Sequence, residues 1–197
     1  MARPRTVTDD HLLDAAAVAI GLRGPSFTLA DVGREAGVAA ATLVGRFGSK
    51  AGMLAALAAH GTGRGTAAMR RAAAVVPAGE AAIVAALQAG AAGLDDPATA
   101  PNHLAQLGAD LADPALRAAV LTDQRAVHAE ITRLVASAPG LGRAPSPARA
   151  ADALLAIWNG TLLGWSLAPA GPLADRIARE VGTLLAGWRD TTPGDDR

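Results

Sequence analysis

Between Thr8 and Leu57 apolar residues recur at steps of three and four, and Gly21, Gly24, Gly37 and Gly48 cut that periodicity into short lengths. A period near 3.6 belongs to amphipathic helices, and glycine ends a helix readily because it enters the left-handed conformation without steric penalty. Four short helices follow. The first opens at the capping residue Thr8, with Asp9 and Asp10 where carboxylates meet the positive end of a helix, and carries Leu12, Leu13, Ala16, Ala17 and Ile20. Thr28 begins a second, TLADVGREA, with Asp31 three residues on, and Gly37 stops it. A third runs from about Ala39 to Phe47, and Ser49 caps a fourth with Met53, Leu54 and Leu57. Three helices within about forty residues, the second and third joined by a glycine turn, make a helix-turn-helix arrangement with Val32, Ala36, Val38, Leu43 and Phe47 as its core. A plain three-helix bundle that touches no DNA has the same pattern.

The rest of the chain is also predicted to be helical. Hydrophobic residues make up 51% of the 197, but alanine dominates them, aromatics are 3% and tyrosine is absent, which leaves little to build strands from. Helical runs are expected near 78–93, 102–111, 114–138, 147–167 and 172–188, with prolines between them or in their first turns. The last two are the most periodic, through Ala151, Leu154, Leu155, Trp158, Leu162 and Trp165, then Ile177, Val181, Leu184, Leu185 and Trp188. They serve either as internal core or as a pair packing on a second copy. With no cysteine there is no disulfide framework or thiolate metal site. The amino terminus lacks the apolar core of a signal peptide and no run reaches the roughly 18 apolar residues of a membrane span, so the expected compartment is the cytoplasm. Disorder is expected in the arm 1–7 and in the tail TTPGDDR, 191–197.

Charge is unevenly placed. Residues 1–71 hold nine Lys or Arg against five acids, a balance of +4 that the remainder cancels. A nucleic-acid-binding head on an acidic body would show this split, and so would an ordinary solvated surface.

The stretch LLDAAAVAIGLRGPSFTLADVGREAGVAAATLVGRFGSKAGML resembles the amino-terminal domain of the tetracycline-repressor (TetR) family of bacterial transcription regulators. In that pattern a first helix ends at Arg23-Gly24, Thr28 opens the second, Ala36-Gly37-Val38 is the turn, Thr42, Leu43 and Phe47 belong to the recognition helix, and Ser49-Lys50 starts the fourth. Val44 stands where the family offers an aromatic hydroxyl to phosphate, Arg46 where it often has another aromatic, Ala39, Ala40 and Ala41 where polar or basic residues are common, and position 45 is glycine. The resemblance implies an all-α homodimer, with a helix-turn-helix head at 1–50, a helical ligand-binding and dimerisation body at 51–190, a palindromic DNA operator as partner, and release by a small-molecule effector. The effector is expected to be apolar, because charged residues are scarce in the runs 78–111 and 147–167.

On this reading phosphates are met by Arg46, Lys50, Arg3 and Arg5 and by backbone N–H groups at the helix starts Thr28, Ala39 and Ser49. Bases are left to Thr42 and Arg46, with the methyls of Ala40 and Val44 able to meet thymine methyls. Arg3 and Arg5 either enter a minor groove or carry incidental charge on a loose arm. The candidate ligand residues are His103, Gln106, Leu107, Asp110, His128, Trp158, Asn159 and Leu162, with Thr161 as a further polar group. Those for dimerisation are Leu154, Leu155, Trp165, Ile177, Val181, Leu184, Leu185 and Trp188.

GTGRG at 61–65 is not a phosphate loop, since no strand precedes it and no Gly-Lys-Ser/Thr closes it. It is expected to soften the end of the fourth helix, as a hinge or as an exposed loop. No histidine pair has metal-ligand spacing, no serine sits in a nucleophile elbow and nothing marks a cofactor, so neither enzyme nor metal chemistry is expected. A second reading is a helix-turn-helix protein that no longer reads DNA and binds small molecules or assembles as a dimeric module.

Overall fold

A computed structural model describes residues 7–190 of the chain, and its regular elements are all helical. They are α1 (Asp9–Arg23), a single 3-10 turn (Gly24–Ser26), α2 (Leu29–Ala36), α3 (Ala40–Phe47), α4 (Lys50–Ala74), α5 (Glu80–Gly90), α6 (Ala100–Ala112), α7 (Pro114–Ala136), α8 (Pro147–Leu167) and α9 (Leu173–Ala186). Arg3, Arg5 and the tail 191–197 lie outside the described residues. No helix among those described is long and apolar enough to cross a membrane.

The expected helices are all present, and their ends shift by a few residues. The exception in kind is GTGRG. Instead of ending at these glycines, α4 runs through them to Ala74. Each glycine costs a helix about 1 kcal/mol relative to alanine. Burial on either side offsets that cost, through Met53 and Leu54 before the glycines and Thr66, Met69 and Ala73 after them.

The chain divides into two compact units, 1–63 with 96–123 and 64–95 with 124–197. In the first, α1 packs on α2 and α6, and α2 on α3. Its core holds Leu12, Ala16, Phe27, Val32, Leu43 and Met53, all fully buried, with Val38 and Phe47 partly buried against them. Phe27 is one of only two phenylalanines, and burying a ring of that size contributes about 1.5–3 kcal/mol. Alanine lets the helices approach closely, and Gly21 goes further: a Cβ there would sit 3.1 Å from the His103 ring. Beside it the Asn102 amide donates to the Gly21 carbonyl at 2.7 Å and fixes α6 on α1.

In the second unit α9 packs on α5 and α8. Its core is built on Ile83, Leu87, Ile131, Leu154, Trp165 and Ile177. Arg189 bridges to Glu80 across the unit, where its hydrogen bonds, more than simple charge, hold the Glu80 carboxyl below the usual range.

Candidate nucleic-acid interface

Helix α2 is closed at its start by a reciprocal capping box. The Thr28 hydroxyl accepts from the Asp31 amide at 3.2 Å, while the Thr28 amide and hydroxyl donate to the Asp31 carboxylate at 2.9 and 2.7 Å. Arg34 and Arg23 each lie 3.1 Å from the same carboxylate. The Thr28 hydrogen bonds are the largest influence on Asp31, and with Arg34 and Arg23 they outweigh its burial and hold its pKa at about 2. Thr28, expected to meet phosphate, therefore spends both its own N–H and its hydroxyl inside the cap.

The turn follows from two glycines. Gly37 takes φ +69°, a left-handed conformation that lets the Gly37 amide bond back to Gly33. Gly33 lets the turn fold onto α2: the Val38 amide donates to the Gly33 carbonyl at 2.8 Å, and a Cβ at Gly33 would lie 2.6 Å from the Val38 carbonyl oxygen. The angle at which α3 leaves α2 thus depends on Gly33, which only its small size could have flagged in the sequence.

Helix α3 is anchored by Leu43, fully buried, and by Phe47, partly buried. Ala41, Thr42, Val44, Gly45 and Arg46 are exposed. Its start has no side-chain cap, because Ala39 occupies the capping position, and among the described residues the N–H groups of Ala40 and Ala41 have no partner. Helix α4, by contrast, is capped by the Ser49 hydroxyl, which accepts from the Gly52 amide at 3.1 Å. An exposed, uncapped helix start is an anion-binding end.

The two described cations expected to meet phosphate are both engaged. Arg46 pairs with Asp9, and its second terminal nitrogen donates to the Val7 carbonyl at 3.1 Å. Lys50 donates to the carbonyls of Pro25 and Phe27, each at 2.7 Å, with its ammonium 4.0 Å from the Phe27 ring centre. Its partial burial lowers its pKa. Lys50 therefore ties the segment before α2 to the start of α4.

The candidate ligand residues divide between the units. On α6, His103 is half-buried, and burial pushes its pKa down. Gln106 is buried and donates to Asp110 at 2.7 Å, leaving its own amide oxygen without a partner among the described residues. Burial raises the pKa of Asp110. Leu107 is exposed. In the other unit His128 lies 3.0 Å from Asp152, Asn159 is exposed and Leu162 is half-buried. Trp158 is buried there, and its indole N–H donates to the Leu87 carbonyl at 3.0 Å.

The dimerisation candidates divide by burial. Leu154, Trp165, Ile177, Val181 and Leu185 are all buried within their own protomer and have almost no surface to give a second copy. Outside this core Leu155 is half-buried and Leu163 and Leu167 are exposed, while Ile157, Leu184 and Trp188 line a shallow groove of about 710 Å³ together with Arg176 and Glu180.

Residues 12–57 match the family described as bacterial regulatory proteins, tetR family. No curated protein matches the chain. Among solved structures it is similar to NemR of Escherichia coli in its reduced form, with TM-score 0.74 and 16% identity over 93% of this chain and 98% of that one. It is also similar to SmeT, the repressor of the Stenotrophomonas maltophilia multidrug efflux pump SmeDEF, with TM-score 0.68 and 18% identity over 98% and 96%. PfmR of Thermus thermophilus, a TetR family transcriptional regulator, aligns with TM-score 0.66 and 18% identity over 91% and 99%. These alignments therefore run through both units of the fold.

Proposed function

We propose, for a chain whose residues 12–57 match the tetR family of bacterial regulatory proteins, that it represses transcription as a homodimer on a palindromic operator and is released by a small, largely apolar effector. The reading rests on one observation above the others, the exposed α3 with its uncapped start and short outward side chains. Laid in a major groove, such a helix brings its own backbone close to the DNA. The Ala40 and Ala41 amides take a phosphate, Thr42 reaches a base edge, and the Ala41 and Val44 methyls meet thymine. Thr28 and Lys50 support this surface by holding α2 and α4, and Arg46 joins it when it leaves Asp9.

Two heads read two half-sites about one DNA turn (~34 Å) apart, so the reading needs a dimer, for which the outward apolar residues of α8 and α9 are the surface. Repression as the direction of action is carried over from SmeT by likeness of fold. The effector must bind the released conformation more tightly than the DNA-competent one, since equal affinity shifts nothing. His103, Gln106 and Asp110 are the groups that orient it, Gln106 through an amide oxygen awaiting a donor. The glycines at 61, 63 and 65 straddle the division between the units, and on this reading the weakening of α4 by three glycines makes them its hinge.

The engagement of Arg46 and Lys50 inside the head favours a second reading, a TetR-like protein with weakened DNA reading that acts as a binding or dimeric module. One experiment separates the two. Purified protein is incubated with fragmented genomic DNA at low and physiological salt and the retained fragments are sequenced. A palindrome enriched at physiological salt and lost with Thr42→Ala supports the regulator. Retention only at low salt, without a preferred sequence, supports the second reading.

A further inference from the structure

Glu130 on α7 is 1% exposed and holds two arginines. Arg70 of α4 reaches its Oε2 through Nε at 2.7 Å, and Arg133 of α7 reaches its Oε1 through Nε at 3.1 Å and Nη2 at 2.5 Å. Burial pushes the Glu130 pKa up, but hydrogen bonds from Arg133 and Arg70 outweigh that and keep the carboxylate charged. One carboxylate against two guanidinium groups leaves the cluster at +1. Among the described residues both Nη atoms of Arg70 and the Nη1 of Arg133 have no partner. Both side chains are more than half exposed, at 63% and 54%.

Arg70 and Arg133 both line a cavity of about 310 Å³ in the second unit. The rest of its wall is mainly small and apolar: Ala73, Ala74, Val76, Ala78 and Ala82. Ser137 is in the wall too, but its hydroxyl bonds back to the Arg133 and Leu134 carbonyls, so the unengaged side-chain donors among the lining residues belong to the arginines. We infer that this cavity is a binding site for a small organic carboxylate, whose head bridges Arg70 and Arg133 while its alkyl chain lies along the alanines. Glu130 acts as the brace, because it fixes both guanidinium planes before a ligand arrives and so lowers the ordering cost of binding. A fork of guanidinium N–H groups matches a carboxylate better than a point cation would. The ends of α4 and α7, at Ala74 and Ala136, oppose a negative charge, so the head belongs on the arginines and the chain toward those ends. The cavity is at the small end for ligand pockets, which suits a chain of a few carbons. This inference does not depend on DNA binding.

The test is calorimetric titration of the full chain with sodium hexanoate and, separately, with inorganic phosphate, each against sodium chloride at matched ionic strength. We expect saturable hexanoate binding at submillimolar concentration, at least about threefold tighter than phosphate. Arg133→Gln should weaken it about tenfold or more. Because that change also removes a partner from a buried carboxylate, Ala78→Phe is the companion: it fills the cavity from an exposed position, touches no charge, and should abolish binding with the melting temperature unchanged. Arg149→Gln, an exposed arginine 80% accessible and outside the cavity, should bind like the parent. Absence of saturable binding, undiminished binding in Ala78→Phe or Arg133→Gln, or tighter binding of phosphate than of hexanoate would overturn the proposal.

Discussion

Helices α2 and α3 are neighbours of equal length, eight residues each, and they treat their amino-terminal ends in opposite ways. Helix α2 closes its end with Thr28 and Asp31 and adds two arginines behind the carboxylate. Helix α3 begins at an alanine and leaves two amides open. A cap is worth about 1 kcal/mol, so stability alone would favour one on both. On the function proposed above, the difference gives the two helices different work: α2 is a fixed support, and α3 keeps its backbone dipole for an outside anion.

The comparison can be strained most severely at the joint between the two helices. Gly33→Ala places a methyl against the Val38 carbonyl and should cost the head about 2 kcal/mol or more, read as a lowered urea midpoint. If stability holds, the close approach is not fixing the crossing. Thr28→Ala removes the α2 cap and should cost about 1 kcal/mol, with operator affinity falling only as far as the fold does. Gly45→Ala sharpens the contrast on α3. No atom lies within 4 Å of a Cβ there, so the methyl should stabilise the helix by roughly 0.5–1 kcal/mol, while a groove-facing backbone held at a distance should lose DNA affinity severalfold. The smallest effect is expected from acid. The Asp31 pKa is depressed to about 2, so its contribution is fully present above the ordinary carboxylate range and drains away as pH falls from about 4 toward 2. A thermal-melt series over that interval should show the loss in the parent and a smaller one in Thr28→Ala.

Local signals carried most of the head. Thr8, Thr28, Gly37 and Ser49 are where the helix boundaries fall, and the step pattern through Val32, Ala36 and Leu43 gives the buried face. What stayed hidden depends on residues far apart in the chain. Nothing beside Lys50 says that it bonds the Pro25 and Phe27 carbonyls, and nothing beside Arg46 points to Asp9. The strong periodicity of α8 and α9 fits an internal core as well as a second copy, and burial of Leu154, Trp165 and Ile177 within the protomer resolves it toward the core. The run GTGRG is not the loop it could locally have been, because propensity is a local cost and α4 continues through it between the buried Met53 and the buried Thr66 and Met69. The partnership of 96–123 with the first unit was equally beyond local reading, because it rests on α6 meeting α1 through Gly21 and Asn102.

The most direct measurement is made on Ala39→Asp, in which one change closes the open end of α3. The backbone at Ala39 is extended, at φ −71° and ψ 146°, and suits a capping aspartate. With an operator recovered from the genomic selection, its dissociation constant and the melting temperature are measured together. The account predicts that the melting temperature rises, by about 1 kcal/mol of added stability, while affinity for the operator falls at least about tenfold because the amides are occupied and a like charge faces the phosphate. A higher melting temperature with affinity unchanged within about twofold would contradict it, and would mean that the start of α3 does not meet the DNA backbone.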